Sequence, residues 1–370
     1  MRRLIAKGLG GGALRSWICV SGIAVSTMLV LVLLGAYRSV SAGIGEYLGQ
    51  SGADYWIAPR GTDNLIRSSG LLDPESLAEI RTMRGVGRVD PILRAFVSAE
   101  SPGTRGTRLT LLGIQFRAPD GLGGPATLVA GTMPHGPGEV ALDRAAAHRL
   151  DTRLDDSLSV NGTRVKVVGI TSGTNLLATQ FVFGDIDTEL QRLVPSASFG
   201  VIRTTAGTDM AQVGVRIHER FPDVEVMSRE AFTTNNLREI GSGFLPMLLL
   251  MSMLGATSSA LLVAFLIEGV VEQRRASLAV LLATGATTAA IAAGLALHVA
   301  KLLGIGLFFG VVAAHLLAAV IDLVAPVIPL RYAIADLAAV ATLLVVSGLV
   351  AAFVPLVRLK NIDPLEAFRA

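Results

Sequence analysis

The feature that most limits this chain is Trp17 to Ala36, twenty consecutive residues without a charge. A helix of that length rises about 30 Å, the thickness of a bilayer's hydrocarbon core. Phe244 to Ile267 is a second apolar run, Ala289 to Ala325 a third and Ala333 to Val357 a fourth. The third is unusually long and carries His298, Lys301, His315 and Asp322. It has no proline or polar turn near its middle, so one tilted helix preceded by an interfacial segment is expected, not two spans. Composition agrees with four crossings: 51% of residues are apolar and 16% charged, against roughly 25% charged in an ordinary globular domain. The other reading of the first run is a cleaved signal peptide, with Arg2-Arg3 as a twin-arginine start and Val40-Ser41-Ala42 as the cleavage site. The run is too long for a signal's apolar region of about 7–15 residues.

The expected segments are therefore 1–16 in the cytoplasm, a first span at 17–37, an outer domain at 38–242 and a second span at 243–268. A cytoplasmic segment follows at 269–288, then spans at 289–325 and 333–357 and a cytoplasmic tail at 358–370. The fold class is a membrane protein of four transmembrane helices, with an α+β extracytoplasmic domain inserted between the first and second. Orientation rests on Arg2, Arg3, Lys7 and Arg15 before the first span, Arg274 and Arg275 between the second and third, and Arg358, Lys360 and Arg369 after the fourth. Short loops rich in arginine and lysine stay inside. Arg331 is the only basic residue in the short third-to-fourth loop. Both termini are expected inside an inner or plasma membrane.

The formal net charge of +3 is no nucleic-acid footprint. Residues 38–242 hold 21 basic and 23 acidic side chains, a net of −2, so the surplus sits beside the spans. Within that domain Asp73-Pro74-Glu75 reads as an N-cap, a first-turn proline and an acid at a helix start. Arg88 to Ala99 reads as a strand broken early by Pro91. Leu158 to Val168 reads as a hairpin, with Asn161-Gly162 supplying the positive φ of a type I′ turn. Ala211 to Phe221 reads as a helix and Val224 to Met227 as a short strand.

Catalytic motifs are missing. Gly8-Leu9-Gly10-Gly11-Gly12-Ala13 is followed by a span and preceded by no strand, so it is a juxtamembrane lead and not a dinucleotide loop. No P-loop pattern, H-E-x-x-H or G-x-S-x-G occurs. The single cysteine, Cys19, lies in a span and reads as lipid-facing or packing filler. No catalytic, metal or cofactor site is expected in this chain. Gly306-Leu-Phe-Phe-Gly310 is a G-x-x-x-G, expected to pack two helices of one subunit.

The most informative segment is Glu272-Gln-Arg-Arg-Ala-Ser-Leu-Ala-Val-Leu-Leu-Ala-Thr-Gly-Ala-Thr287. Glu272, Arg274 and Arg275 lie at the cytoplasmic edge, Leu278, Leu281 and Leu282 line one face, and Gly285 is a helix stop. One reading is a helix lying on the membrane surface. The other is a docking element that inserts its leucines into a cytoplasmic partner's groove.

This segment resembles the cytoplasmic coupling motif of the FtsX/MacB-like ABC permeases, roughly E-R-x-R-E-I-G-x-x-x-A-x-G-A-[ST]. Arg274, Ala283, Gly285, Ala286 and Thr287 match, while Gln273, Ser277 and Ala279 stand where the pattern has glutamate, glutamate and glycine. Asp363-Pro364-Leu365-Glu366-Ala367-Phe368-Arg369 resembles the family's D-P-x-x-A-L-R ending, and Leu14-Arg15-Ser16 with Gly22-Ile23-Ala24 its first span. Gly138 to Leu150, the Asn161-Gly162 hairpin and Val168-Gly169-Ile170 resemble the MacB-type core domain. The resemblance covers the whole chain in the order one span, domain, three spans.

The resemblance implies an efflux permease that couples to a separate cytoplasmic ABC ATPase holding ATP and Mg. It also implies a second permease copy or paralogue and, in some relatives, a membrane-fusion or accessory protein; no nucleic acid is expected. Export or extraction of an amphiphile (a lipid, a peptide or a haem-like molecule) competes with an FtsX-like, non-transporting signal protein that controls a cell-wall hydrolase. A transport-unrelated receptor is a third reading, but the short cytoplasmic segments leave no room for a signalling domain. The candidate substrate path runs by Met28, Leu33, Tyr37, Glu239, Phe244 and Met247, with Met28 and Glu239 as candidate haem ligands. The pairs His298/Lys301 and His315/Asp322 are each expected to share a helix face.

Overall fold

A computed structural model describes residues 13–67, 70–101, 107–125, 127–174, 176, 179–185, 196–273, 275–324, 330 and 332–358. The chain begins with α1 (Ala13–Gln50), β1 (Tyr55–Pro59), α2 (Pro74–Thr82), β2 (Val86–Glu100), β3 (Arg108–Phe116) and β4 (Thr127–Gly131). Then come β5 (Glu139–Asp143), α3 (Arg144–Arg149), β6 (Ser157–Val160), β7 (Thr163–Ser172), β8 (Phe181–Asp185) and β9 (Phe199–Thr204). The last elements are α4 (Met210–Arg220), β10 (Val224–Ser228), α5 (Arg229–Gln273), α6 (Arg275–Ala283), α7 (Thr288–Val324) and α8 (Ile334–Arg358). Two compact units result: residues 36–244 with 321–329 are strand-rich, and the remainder is helical.

In the strand-rich unit the ten strands form one sheet, ordered β10-β1-β9-β2-β3-β8-β5-β7-β4, with β6 against β2 and β7. The 15-residue β2 joins its two halves. It pairs with β9 through Ile92 and with β3 from Leu93 onward. Pro91 does not break it: it sits in register opposite Gly200, and the irregularity falls earlier, between Val86 and Arg88. The hairpin forms as expected, with Asn161 at φ 48° and Gly162 at φ 84°. Asp73 caps α2, its carboxylate accepting from Ser76 N at 3.2 Å.

Aromatic rings fill this unit's central core. Trp56 stacks on Phe232 with centroids 4.6 Å apart and meets Phe199 edge-on at 6.0 Å. Tyr47 packs against Phe181 and Phe183 and donates its hydroxyl to Gly123 O at 2.8 Å. The last turns of α1 and the first of α5 supply Val40, Ile44, Tyr47, Leu48, Phe232 and Ile240 to that core. Both helices therefore extend well into the segment expected to be loop and domain. Two smaller cores lie under α3 and beside α2 and α4.

In the helical unit α1, α5, α7 and α8 are long and apolar enough to cross a membrane. The third run is one 37-residue helix. Its contact with α1 is made by small residues. A Cβ placed on Gly306 would lie 2.7 Å from Ile23 Cβ, and one on Gly310 would meet Thr27 and Ala24 O. The G-x-x-x-G thus joins two helices of one subunit, letting backbones approach so that dispersion contacts accumulate. Cys19 is buried beside Val20, Ile23, Val263 and Leu303, a packing residue.

Candidate functional site

The segment between α5 and α7 is built as a pinned lever. Leu278 and Ala279 are fully buried, and Leu281 and Leu282 half-buried, against Val270 of α5 and Ile291 and Leu295 of α7. Leucines at i, i+3 and i+4 make one stripe on a helix, and here the stripe faces the chain's own helices. Leu278, Leu281 and Leu282, expected to insert into a partner's groove, pack here on α5 and α7. Two apolar helices flank the short helix in sequence, so they cover the leucines first. Glu272, Arg275, Ser277 and Val280 face outward, while Arg274 lies outside the described residues.

The helix stop is a Schellman cap. Gly285 has φ 93° and donates to Leu282 O at 3.0 Å, while Ala286 N donates to Leu281 O at 2.9 Å. That left-handed residue costs glycine little and any other residue more. Thr287 then caps α7, its hydroxyl accepting from Ala290 N at 3.2 Å. On the other side Arg15 lies over Gly269, and with the Gln273 amide oriented oxygen-first it donates to that oxygen at 2.6 Å. The short helix is thus capped at one end and tied to Arg15 at the other, while Glu272, Ser277 and Val280 stay exposed.

The intramembrane polar residues do not form one group. His298 is half-buried with Nε2 enclosed and without a hydrogen-bond partner among the described residues, whereas Lys301, three residues on, is exposed. His315 is tied by Nδ1 to Val311 O at 2.9 Å and packs beside Tyr332 at 5.0 Å between ring centroids. Asp322 is exposed. Among the candidate path residues, Met28 packs beside Val30 and Leu344, Leu33 is half-buried, and Met247 is exposed. Tyr37 and Phe244 pack on each other at 5.9 Å. Glu239 is held by Arg67 at 3.0 Å, an ion pair that occupies the carboxylate proposed as a ligand. No group of three or more His, Cys, Asp or Glu able to hold a metal occurs among the described residues.

A cluster that sequence inspection passed over lies on the strand-rich unit. Asp90 is buried, and its Oδ2 takes Arg88 Nε at 2.6 Å and Leu122 N at 2.9 Å. Arg117 Nε approaches its other oxygen at 3.7 Å. Arg88 and Asp90 are two apart on one strand face, a visible hint, but Arg117 arrives from the end of β3.

Four helices long enough to cross a bilayer, a strand-rich unit after the first of them and a capped lever between the second and third define a polytopic membrane component. The MacB-like periplasmic core domain matches residues 16–220, and the FtsX-like permease C-terminal domain matches residues 249–364. The chain belongs to the MacB/FtsX-like ABC transporter permease family, whose members imply a cytoplasmic ABC ATPase partner. Two solved structures are similar to about half of this chain. The periplasmic region of MacB from Actinobacillus actinomycetemcomitans shares 10% identity over 50% of this chain and 93% of its own, with a TM-score of 0.36. The extracellular domain of the noncanonic ABC-type transporter YknZ from Gram-positive bacteria shares 13% over 48% and 99%, with a TM-score of 0.34. None of the curated proteins compared with the chain matches it.

Proposed function

We propose that this chain is the permease of an ABC exporter, driven by ATP and Mg bound on a separate ATPase chain, and that it moves an amphiphile. The observation that carries the coupling is the lever itself. Its leucines bind α6 to α5 and α7, so a push on its outer face moves those helices together instead of bending a loop. Both termini and the 269–288 segment face the cytoplasm in this reading, and the strand-rich unit faces outward. A second permease copy completes the complex.

The amphiphile enters beside the outer ends of the first and second spans, near Leu33 and Met247, so its polar part never crosses hydrocarbon. The scarcity of polar groups in the long third helix supports this, since a hydrophilic solute needs a lined aqueous path. The test is ATP hydrolysis and substrate release by the reconstituted permease–ATPase complex. Val280 is 49% exposed, so Val280→Asp removes the outer contact without opening the lever's core. Lost stimulation of the ATPase is expected, and unchanged partner binding with unchanged stimulation overturns the docking role. Tryptophan at Leu33 or Met247 is expected to slow release while sparing basal hydrolysis. Normal release there, with release abolished by neutralising Lys301, overturns the lateral route.

A further inference from the structure

The buried Asp90 organises more than a structural ion pair. Around it lies a depression of about 260 Å³ lined by Arg81, Gly87, Arg88, Val89, Asp90 and Arg117. Arg88 and Arg117 each spend only their Nε edge on Asp90, and Arg81 spends one Nη2 on Val89 O at 2.9 Å. A guanidinium carries five donors, so each keeps several while its orientation is already set. The Arg88 and Arg117 side chains remain 39% and 45% exposed. Among the described lining residues three cations face one carboxylate, a surplus of two positive charges.

A second depression, of about 270 Å³, shares Arg81 and Val89 with the first and continues along Pro74, Leu77, Ala78 and Pro91. Among the described residues Arg81 is the only charged one in its lining. Ser196 lines it too, with its hydroxyl buried and lacking any hydrogen-bond partner among the described residues. One half of the groove thus offers fixed guanidiniums and the other an apolar channel with one spare hydroxyl. A bound peptide would have to satisfy an N–H and a C=O at every residue, and among the described side chains the apolar half offers only Arg81 and the Ser196 hydroxyl.

We propose that this groove binds a single-chain anionic amphiphile, the phosphate or carboxylate head held by Arg81, Arg88 and Arg117 and the chain laid against Leu77, Ala78 and Pro91. An ester or hydroxyl oxygen near the head satisfies Ser196. Bidentate guanidinium–oxyanion contacts fix the head's geometry, and the chain adds apolar burial. The site rests on the strand-rich unit alone and stands whether or not the lever couples to an ATPase.

The test uses the full chain in phosphatidylcholine nanodiscs, with Cys19→Ser and an environment-sensitive fluorophore on Ala78→Cys. Ala78 is an exposed lining residue. Dodecyl phosphate is expected to give a saturable signal change, with dodecanol and inorganic phosphate each at least about ten-fold weaker. Arg117→Gln and Arg81→Gln leave Arg88 on Asp90 and so keep the fold, which unchanged thermal unfolding will verify. Each is expected to weaken dodecyl phosphate about ten-fold. Inorganic phosphate binding as tightly as the amphiphile overturns the amphiphile class. An acidic peptide binding more tightly than dodecyl phosphate assigns the groove to a protein partner and overturns the proposal. A dodecyl phosphate signal untouched by both substitutions means partition into the bilayer and overturns it as well.

Discussion

The two units of this chain are held together by opposite means. The strand-rich unit buries its largest side chains: Trp56, Tyr47, Phe116, Phe181, Phe183, Phe199 and Phe232 are almost wholly enclosed. The helical unit turns large residues such as Phe265, Phe308 and Leu316 outward, and packs its helices on Gly22, Gly306, Gly310 and Gly348. In water, burying apolar area is what stabilises. In lipid that driving force is absent between helices, and close approach of backbones replaces it. The same residue type therefore has opposite meanings in the two halves, and substitutions can separate them.

The largest effect is expected at Trp56. Replacing it with alanine removes the ring that Phe199 and Phe232 pack on, at a cost of about 3–5 kcal/mol. Hydrogen exchange should rise across β1, β9 and β10 while the spans keep their protection. Equal loss of protection in α7 would break the division into two regimes. Gly310→Leu is the reciprocal change. Its side chain would meet Thr27 and the Ala24 carbonyl, and overpacking of this kind costs about 1–3 kcal/mol. Cross-linking between cysteines placed on α1 and α7 should fall, with the sheet unaffected.

How much of this was legible follows the same division. The spans were readable because hydropathy reports directly on a lipid environment, and Gly306 and Gly310 because their spacing puts both on one face. The extensions of α1 and α5 were not. Arg38 and the mixed residues after it end the apolar run, yet Val40, Ile44, Tyr47 and Leu48 recur at helical spacing and are buried by the sheet. The leucine stripe at 278–282 was read as a stripe, but a stripe does not say which neighbour covers it. Arg117 could not be joined to Asp90 because 27 residues and a strand pairing separate them. By contrast the Asn161-Gly162 turn and the Asp73 cap were readable, because their chemistry is local.

A smaller effect is expected at Gly162, whose φ of 84° an alanine adopts only with strain. Gly162→Ala should cost about 1–2 kcal/mol and loosen the β6–β7 hairpin alone. Thermal unfolding of the strand-rich unit, compared with Gly207→Ala at φ 80° in an open turn, checks it. Equal shifts at both sites would mean the backbone strain acts without regard to the hairpin.

The smallest and most selective effect is one of pH, and only the strand-rich unit should show it. Asp143 is buried at the end of β5, where it caps α3 by accepting from Ala145 N at 2.8 Å. Its other oxygen accepts from the Thr174 hydroxyl at 2.8 Å and Thr174 N at 3.2 Å. Burial pushes its pKa above the ordinary 3.8, outweighing those hydrogen bonds, which pull it down. Between 3.8 and the raised value the folded chain holds a proton that the unfolded chain releases. Stability from this group therefore rises as pH falls through that window and is lost as pH climbs out of it. Measured as the difference between the natural chain and Asp143→Asn, which does not titrate, the natural chain should gain on the variant as pH drops. Thr174→Val removes the hydroxyl that favours the charged form and should move the window upward. The cost of Gly310→Leu in the helical unit should stay flat over the same range, because no titrating group lies in that contact. A parallel pH dependence there would show that the two regimes are coupled.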